Sequence, residues 1–181
     1  MAEIELRPTQ MHWIENSDPF TDLCVHGGVY FAIDQYVVSD GTDVEWTVST
    51  AAFNLLRTPT IDHPLIGKEA LIPHCGFNMW PSESEPDGLY MPNCDLGINW
   101  SIKHEADRVI HEFKDGTQIT TGLPEWKPEV CRFADKVWEF MHTAWPKVIN
   151  DEQDREGFEL FLSLWQKRRA EAELNHGGRA N

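Results

Sequence analysis

Two Pro-x-Cys segments, Pro73-His74-Cys75 and Pro92-Asn93-Cys94, bracket one stretch of the chain. With His63 upstream, they offer His63, His74, Cys75 and Cys94 as groups of the kind that bind zinc. Zinc takes about four Cys, His or carboxylate ligands at roughly 2.0–2.3 Å. The spacing departs from the usual pattern, in which paired ligands stand a few residues apart. His74 and Cys75 are adjacent, and adjacent side chains on a strand point to opposite faces. Both reach one ion only if the backbone bends there. Pro73 and Gly76 are the residues able to supply such a bend. If 77–80 and 89–91 pair as a hairpin, Cys75 and Cys94 meet near its open end, where a redox pair is also allowed geometrically. The expected reading is plainer: both thiols are small buried hydrophobes, and the stretch is mainly a hairpin with a mobile acidic tip. The expectation for cofactors is none, with zinc at these four residues as the alternative.

Other catalytic patterns are missing. The chain has no GxSxG, GxGxxG, GxxxxGK or HExxH. His104-Glu105 and His111-Glu112 lack the second histidine of a zincin. Cys24 with His26 and Cys131 with His142 are further Cys/His pairs that spacing alone does not rank. The default role for each histidine is an ordinary structural hydrogen bond. No catalytic residue is therefore assigned.

A second set of residues is acidic and aromatic. Asp40, Asp43 and Glu45 cluster at one turn signal. Glu83, Glu85 and Asp87 cluster at another, between Trp80 and Tyr90. Aromatic anchors beside steering carboxylates suit the recognition of a basic protein; merely solvated turns are the alternative. Neither cluster has the spaced ligands of an EF-hand calcium loop.

The net charge of −15 points the same way. Residues 1–100 carry three basic and fifteen acidic side chains, whereas 101–181 carry twelve and fifteen. So lopsided a field attracts basic surfaces and repels phosphate, which disfavours nucleic-acid binding. No run approaches the ~18 apolar residues of a membrane span. The first residues, MAEIELRPTQ, read unlike a secretory signal. Four widely spaced cysteines fit reduced cytoplasmic thiols better than a disulfide framework. Asn99-Trp100-Ser101 matches a glycosylation pattern by chance on this view.

These groups are positioned by an α+β chain read as a single domain, 1–181. Residues 1–20 read as an irregular arm broken by Pro8 and Pro19, with one short strand at 4–6. Residues 21–122 are β-rich, with strands near 22–26, 29–38 and 43–48 and a hairpin turn at Asp40-Gly41. A short helix follows at "STAAFNLLRT", capped by Ser49 or Thr50. Ile98, Trp100 and Ile102 alternate with polar residues and open a meander that turns at Asp115-Gly116. Residues 123–174 are helical. Val130, Phe133, Ala134, Val137, Phe140 and Met141 recur at helical spacing, and Phe158, Phe161, Leu162 and Trp165 do so again. Residues 175–181 read as a flexible tail. The expected arrangement is a mainly antiparallel sheet of about 6–8 strands, with one short internal helix and two C-terminal helices on one face.

The leading functional expectation is a small acidic cytoplasmic protein-binding module, monomeric or homodimeric. It would neutralise a basic toxin or nuclease by occlusion, as bacterial immunity and antitoxin proteins do. The alternative is a metal- or thiol-dependent enzyme centred on His63, His74, Cys75 and Cys94.

Overall fold

The computed structural model describes residues 2–67, 69–76, 78–92 and 94–174. The fold is α+β, and every ladder between the described strands is antiparallel. The strands are divided among several sheets instead of forming one. The first contains β1 (Ile4–His12), β2 (His26–Ile33), β3 (Tyr36–Asp40) and β4 (Trp46–Thr47). β2 is central: it pairs with β1 on one side, and with β3 and then β4 on the other.

Three expectations fail in this sheet: the strand read near 22–26 is absent, since β2 begins only at His26, and two more concern β1 and the hairpin. The N-terminal arm is a nine-residue strand, paired from Ile4↔Ile33 to His12↔His26. Pro8 does not break it because β1 lies at the sheet edge, where a missing N–H costs no ladder bond. The hairpin turn falls at Asp34-Gln35 and not at Asp40-Gly41. Asp34 takes the positive φ of 51° that the turn requires, and its Oδ1 accepts from Glu3 N at 2.8 Å.

α1 (Val48–Leu55) follows β4 directly and is buried along its whole length. Its expected caps are used elsewhere. Ser49 Oγ accepts from Val25 N at 3.1 Å, and Thr50 Oγ1 donates to Gly76 O at 2.7 Å. The helix therefore ties the start of β2 to the segment that carries Cys75. Two small ladders come next: β5 (Ile72–Pro73) pairs with β8 (Gly97–Ile98), and β6 (Trp80–Pro81) with β7 (Leu89–Tyr90). The expected meander is present as β9 (Ser101–Glu105), β10 (Arg108–Glu112) and β11 (Gln118–Gly122).

Two helices close the chain. α2 (Leu123–Met141) buries Val130, Phe133, Ala134, Val137 and Met141, five of the six positions its periodicity marked; the sixth, Phe140, is half-buried. α3 (Glu152–Glu173) starts at Asp151, whose side chain accepts from Asp154 N, with Glu152 and Asp154 at the positive end of the dipole. One apolar cluster runs from Leu6 to Ala172, and Trp100, Trp126 and Trp165 are among its largest fully buried side chains. The expected tail, 175–181, lies outside the described residues.

Candidate functional site

The site begins with the backbone around β5. Pro73 pairs with Gly97, and one residue further on His74 N donates to Leu96 O at 3.2 Å. Thr47 Oγ1 donates to His74 O at 3.0 Å, so the His74 backbone is held from two sides. The strand has ended by then, and Gly76 completes the bend with φ of +108°. A Cβ on Gly76 would lie 2.8 Å from Thr50 Cγ2, so the close approach of α1 also demands glycine. The bend that adjacent ligands need is therefore present at the expected place.

His74, Cys75 and Cys94 are brought together. One ligand atom from each lies within 4.8 Å of the others, and all three residues are half-buried. Cys75 Sγ is 3.7 Å from His74 Nδ1. The third member arrives because the 76–93 excursion, with the β6–β7 hairpin inside it, returns beside its own start before β8. Such a His/Cys/Cys group is geometrically suited to a metal ion. It does not include His63, which sits in a β-bridge with Ile102, where its Nε2 meets Asn99 Oδ1 at 2.8 Å. Burial holds His63 below its ordinary pKa. Asn99 also donates to Leu65 O at 2.8 Å and accepts from Leu71 N at 3.2 Å, so its amide is committed to the fold.

The electrostatics bear on two of the thiols, Cys75 and Cys24. Burial, reinforced by the neighbouring Cys94 thiol, pushes Cys75 up to about 11. A nucleophilic cysteine needs the opposite, a cationic setting that lowers its pKa. Cys24, fully buried beside Gly76 O at 4.0 Å, is pushed up to about 12, again mainly by burial.

The acidic clusters divide into several roles. Asp40 accepts from Thr42 N and Thr42 Oγ1 at 2.9 and 2.7 Å, and these bonds hold its carboxyl below the usual range. Asp43 accepts from Glu45 N at 3.1 Å. Both carboxylates therefore organise their own turn. Glu45 reaches further: its Oε2 lies 3.6 Å from His74 Nε2, on the far side of the ring from Cys75. At the other cluster, Asp87 Oδ2 accepts from Arg168 at 2.5 Å. Arg168 also donates to Phe53 O at 2.9 Å, and its guanidinium lies 3.8 Å from the Phe53 ring centroid. Trp80 packs near Tyr90 and donates from Nε1 to Asp154 at 3.1 Å. Glu83 is exposed, Glu85 half-buried, and Tyr90 42% exposed.

Glu85 and Tyr90 line a cleft of roughly 650 Å³, together with Glu69, Met91, Cys94, Asp95 and one cation, Lys114. Glu69 is paired with Arg57 at 2.9 Å; the carboxylates of Glu85 and Asp95 form no ion pair with a described residue. Ile66, also in its lining, is 90% exposed. Sequence reasoning missed Glu69, Asp95 and Ile66, which lie in loops with no motif on either side of the β5–β8 ladder. It also missed the inward turn of Arg168, which stands in a charged run that reads as surface.

No family model, curated protein or solved structure matches the chain. Among the described residues no helix is long and apolar enough to cross a membrane.

Proposed function

We propose that this chain is a small acidic protein-binding module that docks a basic partner at the cleft beside the β6–β7 hairpin. The mode of action is occlusion of a basic toxin or nuclease, in the manner of bacterial immunity and antitoxin proteins, in the cytoplasm. The observation that carries this reading is one cleft of roughly 650 Å³ that combines Glu85 and Asp95, neither ion-paired among the described residues, with Tyr90 and the neighbouring exposed Ile66. Unpaired carboxylates at a concave surface of mixed polarity steer and then orient cationic side chains. Tyr90 is the anchor in this scheme and not Trp80, whose indole N–H is already engaged with Asp154. Asp87 is likewise excluded as a contact, because Arg168 holds it.

The test is charge reversal. Glu85→Lys with Asp95→Lys should slow association with the basic partner by at least about tenfold at low salt, and flatten its salt dependence. Unchanged association kinetics in that double variant would sink the assignment of this cleft.

A second reading is favoured by the His74, Cys75 and Cys94 arrangement. The cluster binds zinc, since two sulfurs and an imidazole form a soft donor set that magnesium and calcium do not choose. It accompanies the docking reading without requiring it.

A further inference from the structure

We propose that His74 binds zinc through Nδ1, with Cys75 and Cys94 as thiolates, and that Glu45 positions the imidazole from behind through Nε2. This rests on the metal-binding reading above and adds the ligand atom, the positioning residue and the open coordination place.

The choice of Nδ1 follows from distance. With Zn–S of about 2.3 Å and Zn–N of about 2.0–2.1 Å, a tetrahedral S–Zn–N edge spans roughly 3.6 Å. Cys75 Sγ and His74 Nδ1 stand 3.7 Å apart already. The corresponding S–Zn–S edge is about 3.8 Å. One ligand atom from each residue lies within 4.8 Å of the others, so contractions of about 1.2 Å or less complete the set. Cys94 lies outside the ladders.

The two ring nitrogens of an imidazole point in divergent directions. A carboxylate beside Nε2 therefore does not share an ion held on Nδ1. Glu45 Oε2 lies 3.6 Å from Nε2, just beyond hydrogen-bond range, on a side chain that is largely exposed and able to close the gap. Once Nδ1 is taken by metal, the proton resides on Nε2 and Glu45 accepts it. This is the carboxylate–histidine–zinc relay that fixes ring orientation and tautomer. Charge balance agrees: two thiolates neutralise the dication, and a directly ligating carboxylate would leave the centre anionic. The protons of both thiols leave to solvent as the ion enters, so binding strengthens as pH rises.

Three protein ligands leave one tetrahedral place for water or an incoming donor, which is the pattern of open zinc sites. Cys94 also lines the acidic cleft, so that place lies next to the docking surface. An ion here clasps the neck of the 76–93 excursion, one wall of the cleft.

The experiment titrates the full reduced chain with Co²⁺ as the spectroscopic probe, in parallel with Zn²⁺ competition and a pH-stat. The wild type should give thiolate-to-cobalt charge-transfer bands and intense tetrahedral ligand-field bands, with about two protons released per ion. The Cys75→Ala, Cys94→Ala variant should lose the bands while keeping the circular dichroism of the fold. Glu45→Gln should keep the bands and weaken apparent affinity about tenfold, since the relay is lost but the ligands are not. Wild-type affinity in Glu45→Gln would overturn the Nδ1–Glu45 assignment and leave metal binding standing. Absence of thiolate bands in the wild type, or equal bands in the double variant, would overturn the metal reading itself.

Discussion

Acidification should destabilise this protein in part through His111. His111 is fully buried between Phe31 and Trp126, at ring-centroid distances of 6.4 and 4.9 Å. Trp100 Nε1 donates to its Nδ1 at 3.2 Å, so Nδ1 is the acceptor; Nε2 then carries the proton and donates to Thr121 Oγ1 at 3.0 Å. Burial pushes the group down to about 3. The unfolded chain takes up a proton near the ordinary value of about 6.5, which the folded chain refuses until far lower pH. Below pH 6.5 the unfolded state therefore binds more protons, and stability falls with pH at about 1.4 kcal/mol per unit. Between pH 7.5 and 5 this one group removes about 2 kcal/mol. His111→Asn keeps an acceptor near the Nδ1 position and has nothing to titrate. Its baseline stability should be lower by about 1–3 kcal/mol, for the unsatisfied Thr121 hydroxyl and the lost packing. Urea unfolding at pH 7.5 and pH 5 measures both slopes. His26 and His63, also depressed by burial, contribute equally to the two proteins and cancel. The variant should lose about 2 kcal/mol less than the wild type over this interval. Equal losses would refute the claim that His111 stays neutral in the folded core.

Two further predictions concern the seating of the 76–93 excursion on α3. A Cβ at Gly157 would lie 1.8 Å from Met79 O, so Gly157→Ala should cost several times the ordinary ~1 kcal/mol of a point mutation and loosen the β6–β7 hairpin, as read by denaturation and hydrogen exchange. Asp87→Asn removes the partner of a guanidinium that is only 8% exposed. A cost of about 1–2 kcal/mol is expected, below that of a fully buried pair because Asp87 faces solvent on one side; a neutral result in urea unfolding would show that the Phe53 carbonyl and ring satisfy Arg168 alone.

The helices were legible because their apolar spacing is long and regular, and the packing follows it at Val130, Phe133, Val137, Phe158 and Phe161. The meander was legible from the alternation through Trp100 and Ile102 and from Asp115-Gly116. β1 was obscured by Pro8, since its edge position depends on partners the local sequence does not name. The β2–β3 turn was obscured because Asp34, not glycine, bears the positive φ. His111 read as a strand-end residue, yet the sheet faces it into the core. Of the candidate site, the hairpin and the bend were visible in residue types, but the burial expected of the two thiols does not hold: Cys75 and Cys94 are half-buried and lie with His74. The neighbourhood of Glu45 was not visible, because it depends on β4 pairing with β2 and on Thr47 bonding to His74. The separation of His63 likewise reflects its bridge to Ile102, a long-range pairing without local signature.

The most direct test of the docking proposal is native mass spectrometry of the tagged chain drawn gently from its own cells, run beside the Glu85→Lys, Asp95→Lys variant. A cleft that docks a basic partner gives a stoichiometric complex with a polypeptide of high pI, lost from the variant while the variant keeps its fold. An identical set of bound polypeptides on both proteins, or none on either, would contradict it.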